Sequence, residues 1–469
     1  MKQKFTTLRA RAGHWALGVL CLPLLAWAQT PLSTPATPAA PASLAVSGAV
    51  GEVVSSRGVG FAQTPGQVPR TLGVGLPLKE GDRLTTAAGG SAILKLSDGT
   101  RMTLRPQSDL VLQTYRYQPE SANNNMVLEL LKGGFRAITG LVNKGNDRAA
   151  LVKTPTATIG IRGTDFDARL CGADCANEVK GAAESARTAN LRASAKAVAV
   201  QGDIVAIADN GERRKLVDGG SIYPGDLVET AAQAKAVLAF RDESKVSLGG
   251  GTRFKVEDFI FDSKNPAEGR FLVSLLKGTV RALTGLIGKA QTRNVTFNTP
   301  TATIGIRGTG IDLSCEDSGC NFFTWLGSMT VTPNGQTALQ VLQAGQGLFV
   351  SPTAIRPITD LPLPSIERPD TVPVDMAPLF TATPVDESAQ GLYVFVRDGH
   401  IVLTTPGGGV VHLGRGEVGL ADGLGRALRP LQMPLFMELD PMPLPSNPNP
   451  LLTTVLEEAG VRSSNQCRR

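Results

Sequence analysis

Eleven residues, Thr154, Pro155, Thr156, Ala157, Thr158, Ile159, Gly160, Ile161, Arg162, Gly163 and Thr164, recur unchanged 145 positions later at 299–309. The likeness extends upstream. Leu130, Leu131, Lys132 and Gly133 return as Leu275, Leu276, Lys277 and Gly278, and Arg136-Ala137 returns as Arg281-Ala282. Gly81-Asp82 returns as Gly225-Asp226 at an offset of 144, so one residue separates the copies between those points. A period this long marks a duplicated domain and not a solenoid. Two copies of one domain then account for most of the 469 residues.

Each copy reads as all-β. Ala92, Leu94 and Leu96 alternate with Ile93, Lys95 and Ser97, Asp98-Gly99 supplies a turn, and Met102 and Leu104 resume the alternation. Period two on both sides of Asp-Gly is a hairpin signal. The second copy has Asp242-Glu243 there, so a different turn is expected. Further strands are expected over 110–117, 126–131 and 135–139. With 52 glycines and only 5% aromatic residues, the chain suits short strands and many turns. The expected fold is two tandem repeats of a short-strand antiparallel sandwich or barrel-like domain, with a small C-terminal β segment.

The boundaries follow from composition. Residues 1–28 read as a secretory signal peptide: basic residues up to Arg11, an apolar stretch from Trp15, then Ala26-Trp27-Ala28, with cleavage expected between Ala28 and Gln29. Pro23 interrupts the apolar stretch, which argues against an uncleaved anchor, and Cys21 lies too deep in it for a lipoprotein signal. Residues 29–47 are a Pro/Ala/Ser/Thr linker, 48–175 the first domain, 176–195 an Ala-rich linker and 196–350 the second domain. A Pro-rich spacer at 351–388, a β-hairpin segment at 389–433 and a mobile Pro-rich tail at 434–469 complete the chain. Removing Lys2, Lys4, Arg9 and Arg11 from the net charge of +6 leaves +2, too little for a nucleic-acid binder. No run of roughly 18 apolar residues would span a membrane in the mature chain. Export places the protein in the periplasm or outside a Gram-negative cell, where thiols oxidise.

A Gly-Asp before a strand, a hairpin of the Asp-Gly-Thr type, a Leu-x-x-Gly strand and the closing Thr-Pro-x-Ala-x-Ile-Gly-Ile-Arg-Gly-Thr together resemble the FecR domain, over 48–175 and 196–350. The resemblance implies a periplasmic, β-rich, non-enzymatic module that acts through protein contact. Regulatory members carry a cytoplasmic anti-sigma segment and a membrane helix ahead of the domain. The residues before the apolar stretch at Trp15 are too few for such an anti-sigma segment. A signal relay would then need a partner to cross the inner membrane.

Several groups of residues could carry chemistry. In extended conformation Ile159 and Ile161 share one face and Thr158, Gly160 and Arg162 the other. Thr154, Pro155, Arg162, Gly163 and Thr164, with Thr299, Pro300, Arg307, Gly308 and Thr309, form a strand that is structural or a binding strip. Pro155 suits a strand start and Gly163 a bulge. Flanking glycines favour a packed arginine, so Arg162→Ala and Arg307→Ala are each expected to destabilise their domain.

Cys171 and Cys175, and Cys315 and Cys320, follow the repeated strand, and two local disulfides pinning equivalent loops are expected. A cross-domain pairing or a four-thiolate zinc site is the alternative, and Cys467 is odd. Asp165 and Asp167 lie two apart, but the second copy has Gly310 and Asp312. His400 and His412 flank the last glycine turn without a third ligand or nucleophile. Residues 285–290 only superficially imitate a phosphate loop. No enzyme, cofactor or metal is expected. The expected role is binding an unknown protein or envelope polymer. A periplasmic relay contacting an outer-membrane receptor and an envelope polysaccharide or peptidoglycan hydrolase are the alternatives.

Overall fold

Alternation along each strand sets one face inward, and the inward faces of many short strands build two cores. The computed structural model describes residues 48–143, 149–178, 192–358, 366–386 and 388–438, with positions 440, 442 and 445. The signal peptide, its cleavage site at Ala28 and Gln29, the 29–47 linker and Cys467 lie outside the described residues. The described part is all-β, with strands in two large sheets and only four short α-helices among the described residues.

The turns explain why the hairpins form. In the first copy Gly99 takes φ +88°, its N–H donates to Leu96 O, and Leu96 N–H donates to Thr100 O. That is a three-residue hairpin loop with a left-handed last residue. The different turn expected in the second copy is not found. Glu243 takes φ +68° in Gly99's place, and the same two bonds join Glu243 to Phe240 and Phe240 to Ser244. The aspartate before it decides the turn. Asp98 accepts from the Thr100 N–H and hydroxyl at 3.0 and 2.7 Å, and Asp242 does the same for Ser244 at 3.0 and 2.8 Å.

Within each copy one strand pair runs parallel, Ala150–Lys153 beside Asn125–Lys132 and Val295–Asn298 beside Arg270–Leu283. The strand carrying the repeated motif, Thr158–Cys171 or Ala302–Glu316, crosses the domain antiparallel to its neighbours.

The two copies differ in how that signature strand is completed. In the second copy it turns back into Gly319–Pro333, which pairs along its full length. In the first copy the same edge is taken by Gly391–Thr404, from beyond the whole second domain. Leu392, Val394, Val396, Ile401, Leu403, Val411 and Leu413 are buried in the first domain's core. The segment at 389–433 therefore supplies to the first copy the ending that its own sequence lacks, and the second domain sits as an insertion within the first.

The proline-dense stretch contributes one edge strand, Ile355–Ile358, against Gly347–Val350, where Pro357 opposite Leu348 costs no ladder bond on an outer edge. The beginning of the segment read as a mobile tail is packed. Helix Leu435–Glu438 buries Phe436 and Met437, which join Tyr393 and the Cys171–Cys175 disulfide in a third cluster.

Candidate functional site

The repeated eleven residues are accounted for by local geometry. Thr154 opens a turn, its hydroxyl accepting the Ala157 N–H at 3.0 Å, and Thr299 accepts that of Ala302 at 3.0 Å. Pro155 and Pro300 occupy the second turn position, where a fixed φ helps. Ile159 and Ile161, like Ile304 and Ile306, point into the core. Gly163 and Gly308 take φ +59° and +56°, and the ladder slips there. This is a β-bulge, for which glycine is suited. Thr164 and Thr309 are buried. Their N–H groups donate to Thr139 and Thr284 hydroxyls at 2.8 and 3.0 Å, and their own hydroxyls to His400 O and Ser328 O at 3.1 and 2.7 Å.

The arginine of this motif is not the packed one. Arg307 is exposed, and Arg162 is half-buried with a long 3.5 Å contact to Asp218 O. Strand alternation sets Arg162 and Arg307 on the face opposite the one that Ile161 and Ile306 bury. Contrary to the expectation from flanking glycines, Arg307→Ala should leave the melting of the protein within about 0.5 kcal/mol of the parent. A loss of several degrees in a thermal melt would show a partner the geometry lacks.

The packed arginines are other repeated residues. Arg136 bonds Asp167, and Arg281 bonds Asp312 at 2.9 Å. A chain segment returning after each domain covers them: Arg136 donates to Met442 O at 2.6 Å and Arg281 to Ile366 O at 3.1 Å. Arg70 pairs with buried Asp82 at 2.6 Å, and Arg214 pairs with buried Asp226. Both partners of each pair recur at the repeat offset, 145 for the first set and 144 for the second. That joint recurrence is the signal that points to them.

Cys171–Cys175 and Cys315–Cys320 are bonded, each within its own domain. They are not equivalent. Gly134 faces Arg169 and its counterpart Thr279 faces Ser314, so Cys315 corresponds to Leu170. Cys315–Cys320 staples directly opposed residues of one hairpin, whereas Cys171–Cys175 ties a strand end to helix Ala173–Glu178.

Where the copies differ, the changes are coupled. Asp165 has Gly310 as its counterpart, and at the facing bulge Arg397 stands where the second copy has Trp325. Arg397 donates to Asp167 at 2.8 Å, while the Trp325 ring fills the space a Cβ on Gly310 would need. Asp165 and Asp167 thus sit among cations. Burial, with Asp167 nearby, pushes the Asp165 carboxyl up to about 6.

His400 and His412 meet as stacked rings 5.4 Å apart, with Nδ1 of His412 3.3 Å from Nε2 of His400. They lie at the junction of the two domains, beneath Gly219 of the second. Beside them Lys196, fully buried, donates to Ser221 Oγ at 2.7 Å and Glu417 Oε2 at 2.8 Å. Burial lowers the Lys196 ammonium to about 8. Tyr223 donates to Arg415 O at 2.6 Å, and Arg415 pairs with Glu212 at 3.2 Å. Sequence reading missed Lys196 and Glu417, each an isolated charge without a repeated counterpart.

Burial, then the nearby Lys196, Arg162 and Arg429, lower His412 to about 4 against an opposing pull from Asp218; burial, then His412, hold His400 well below the usual imidazole range. The unfolded chain takes up these protons near pH 6.5, so stability is lost as pH falls from there to about 4, by about 3 kcal/mol for His412. Asp165 works in the opposite direction below pH 6. The check is therefore the difference between the parent and a His400→Gln/His412→Gln variant, whose melting temperature should fall less across that window. Parallel pH profiles would rule out the histidines as the cause.

A cleft of about 270 Å³ opens beside this junction. Arg162 and Gly163 of the first domain, Arg213, Arg214 and Lys215 of the second, and Asp398 of the completing strand line it.

The FecR protein family model matches the chain twice, over residues 82–184 and 226–329. The chain carries two FecR domains. Among curated proteins none matches it. Two crystal structures, at 1.65 and 2.50 Å, of a Parabacteroides distasonis protein assigned as an anti-sigma factor match at 16% identity and a TM-score of 0.23. Each alignment covers 28% of this chain and 58% of that one. Both FecR matches end before the partner strand is complete, so the second domain's hairpin and the first domain's borrowed strands extend the matched FecR regions.

Proposed function

We propose that this is an exported, non-enzymatic protein whose paired FecR domains bind a protein or polymer of the cell envelope. One observation carries the reading. Shared polar residues such as Thr154, Thr164 and Arg136 are consumed in a turn, a bulge and a buried ion pair, while the cleft where the domains meet carries Arg213 and Lys215, which have no charged counterpart in the first copy. Shared residues of that kind build a scaffold, and a rigid junction between scaffolds offers a binding surface. Membership of the FecR family favours a second reading, a relay that receives a signal from an outer-membrane receptor.

Photo-cross-linking in cells, from exposed positions such as Arg307 and Arg213, tests the binding role. A discrete adduct of one mass is expected from the mature protein beginning at Gln29 in a periplasmic extract. No adduct from either position, or a chain retaining 1–28 in the inner membrane, would count against it.

A further inference from the structure

We infer that the cleft between the domains is a binding site for a phosphate monoester or free phosphate. This rests on the reading of the protein as a binding module. The argument starts from strand Arg213–Lys215, the counterpart of Arg70–Thr71 in the first domain. Arg70 faces Ala62 and Arg214 faces Ala206 in the same register, and each arginine pairs with its buried aspartate. The fold needs that one cation. Its neighbours in the first copy are Pro69 and Thr71, but in the second they are Arg213 and Lys215. The second domain has therefore two charges that the framework does not require, on the strand that faces the cleft.

The central arginine differs as well. Arg70 uses Nη1 to donate to Pro77 O at 2.8 Å. Arg214 is about nine-tenths buried and lines the cleft, and its Nη1 has no partner among the described residues. A buried guanidinium donor left open is costly unless an acceptor arrives. From the other wall comes Arg162, which lies on the face opposite buried Ile161 and which no carboxylate neutralises among the described residues. In the second domain Arg307 lies on the equivalent face but is exposed to solvent, because no second domain stands opposite.

The local charge is not one-sided. Arg213 and Lys215 contact Glu229 and Asp203 at 3.2 and 3.3 Å, and Asp398 lines the cleft. Both pairs are formed by well-exposed cations, and such pairs hold weakly enough for the side chains to turn to a better acceptor. Burial raises the Asp398 carboxyl, which makes it easier to protonate beside an anion. Guanidinium forks match the oxygens of phosphate in two-bond geometry, and the volume suits one phosphate with at most a sugar-sized group.

Isothermal titration calorimetry on the full mature chain at low ionic strength tests this, with inorganic phosphate, glucose 6-phosphate and glucose as probes. Both phosphate compounds should bind and glucose should not. Tighter binding of glucose 6-phosphate assigns a phosphate ester, and tighter binding of inorganic phosphate the free ion. An R213Q/K215Q variant, changed only at exposed positions, should melt like the parent and bind about tenfold or more weakly; R162Q should do likewise. Silent titrations, or variants that bind like the parent, would overturn the inference. Envelope cross-links that persist while the titration is silent would remove the cleft site and leave the binding role standing. Lost cross-links with an intact titration would do the reverse.

Discussion

A chain ending at Asp386 is expected to lose its first domain and keep its second. The truncation removes Gly391–Thr404, the full-length partner of the first signature strand, together with the strands Val410–Gly414 and Val418–Asp422 that pair with it. Leu392, Val394, Val396, Ile401, Leu403, Val411 and Leu413 leave the core with them. At about 1.5–3 kcal/mol for each buried side chain, the loss exceeds most of the roughly 5–15 kcal/mol that keeps a domain folded. The second domain encloses its own hydrophobic core between 195 and 350, and what it loses is polar: the Lys196 bonds to His412 O and Glu417, and the Tyr223 bond to Arg415 O. Hydrogen exchange read by mass spectrometry should show peptides from 91–138 unprotected and peptides from 236–331 protected. Protection of both would mean that the first FecR domain folds without its borrowed strands.

The second large effect is expected at the buried ion pair of the second domain. Asp312→Ala should cost about 3–5 kcal/mol, because Arg281 then remains as a buried charge without its carboxylate. The pair itself is not the source of that energy. Burial outweighs Arg281 and pushes the Asp312 carboxyl up, so the ionised form is held at a cost. An Arg281→Met/Asp312→Leu double variant should accordingly recover most of the loss, since an apolar pair removes both desolvation penalties. Denaturant melts of the parent and the two variants decide it. If the double variant is as unstable as Asp312→Ala, the bond from Arg281 to Ile366 O carries the stability instead.

Much of the framework was legible in the chain. Period-two alternation marked Ala92, Leu94 and Leu96 as inward-facing. The Gly163 bulge and the two close cysteine pairs are each properties of a few adjacent residues, whereas Pro155, expected at a strand start, lies in the turn before it. The turn at Asp242-Glu243 was misread because glycine was taken to define it, whereas the aspartate's two bonds to Ser244 hold Glu243 left-handed. The arginines were misassigned for a related reason. Flanking glycines say that another chain can approach closely, but not whether it brings acceptors to the face on which the arginine lies.

The sequence by itself determined that the protein is all-β, that it is built from two FecR domains, and which strand closes each of them. Those properties depend on contacts between near neighbours, and the duplication displays them twice. Only the tertiary structure decided that the first domain is completed by 391–404, that Arg136 and Arg281 are buried while Arg307 is exposed, and that His400 meets His412. It also decided that Arg162 and Arg213 face one cleft. A strand carries its inward face in its own alternation, but nothing in its residues names the strand that will occupy its free edge. That choice is made by chain connectivity and by which segment can cover the exposed apolar face, and it brings together residues that are far apart in sequence.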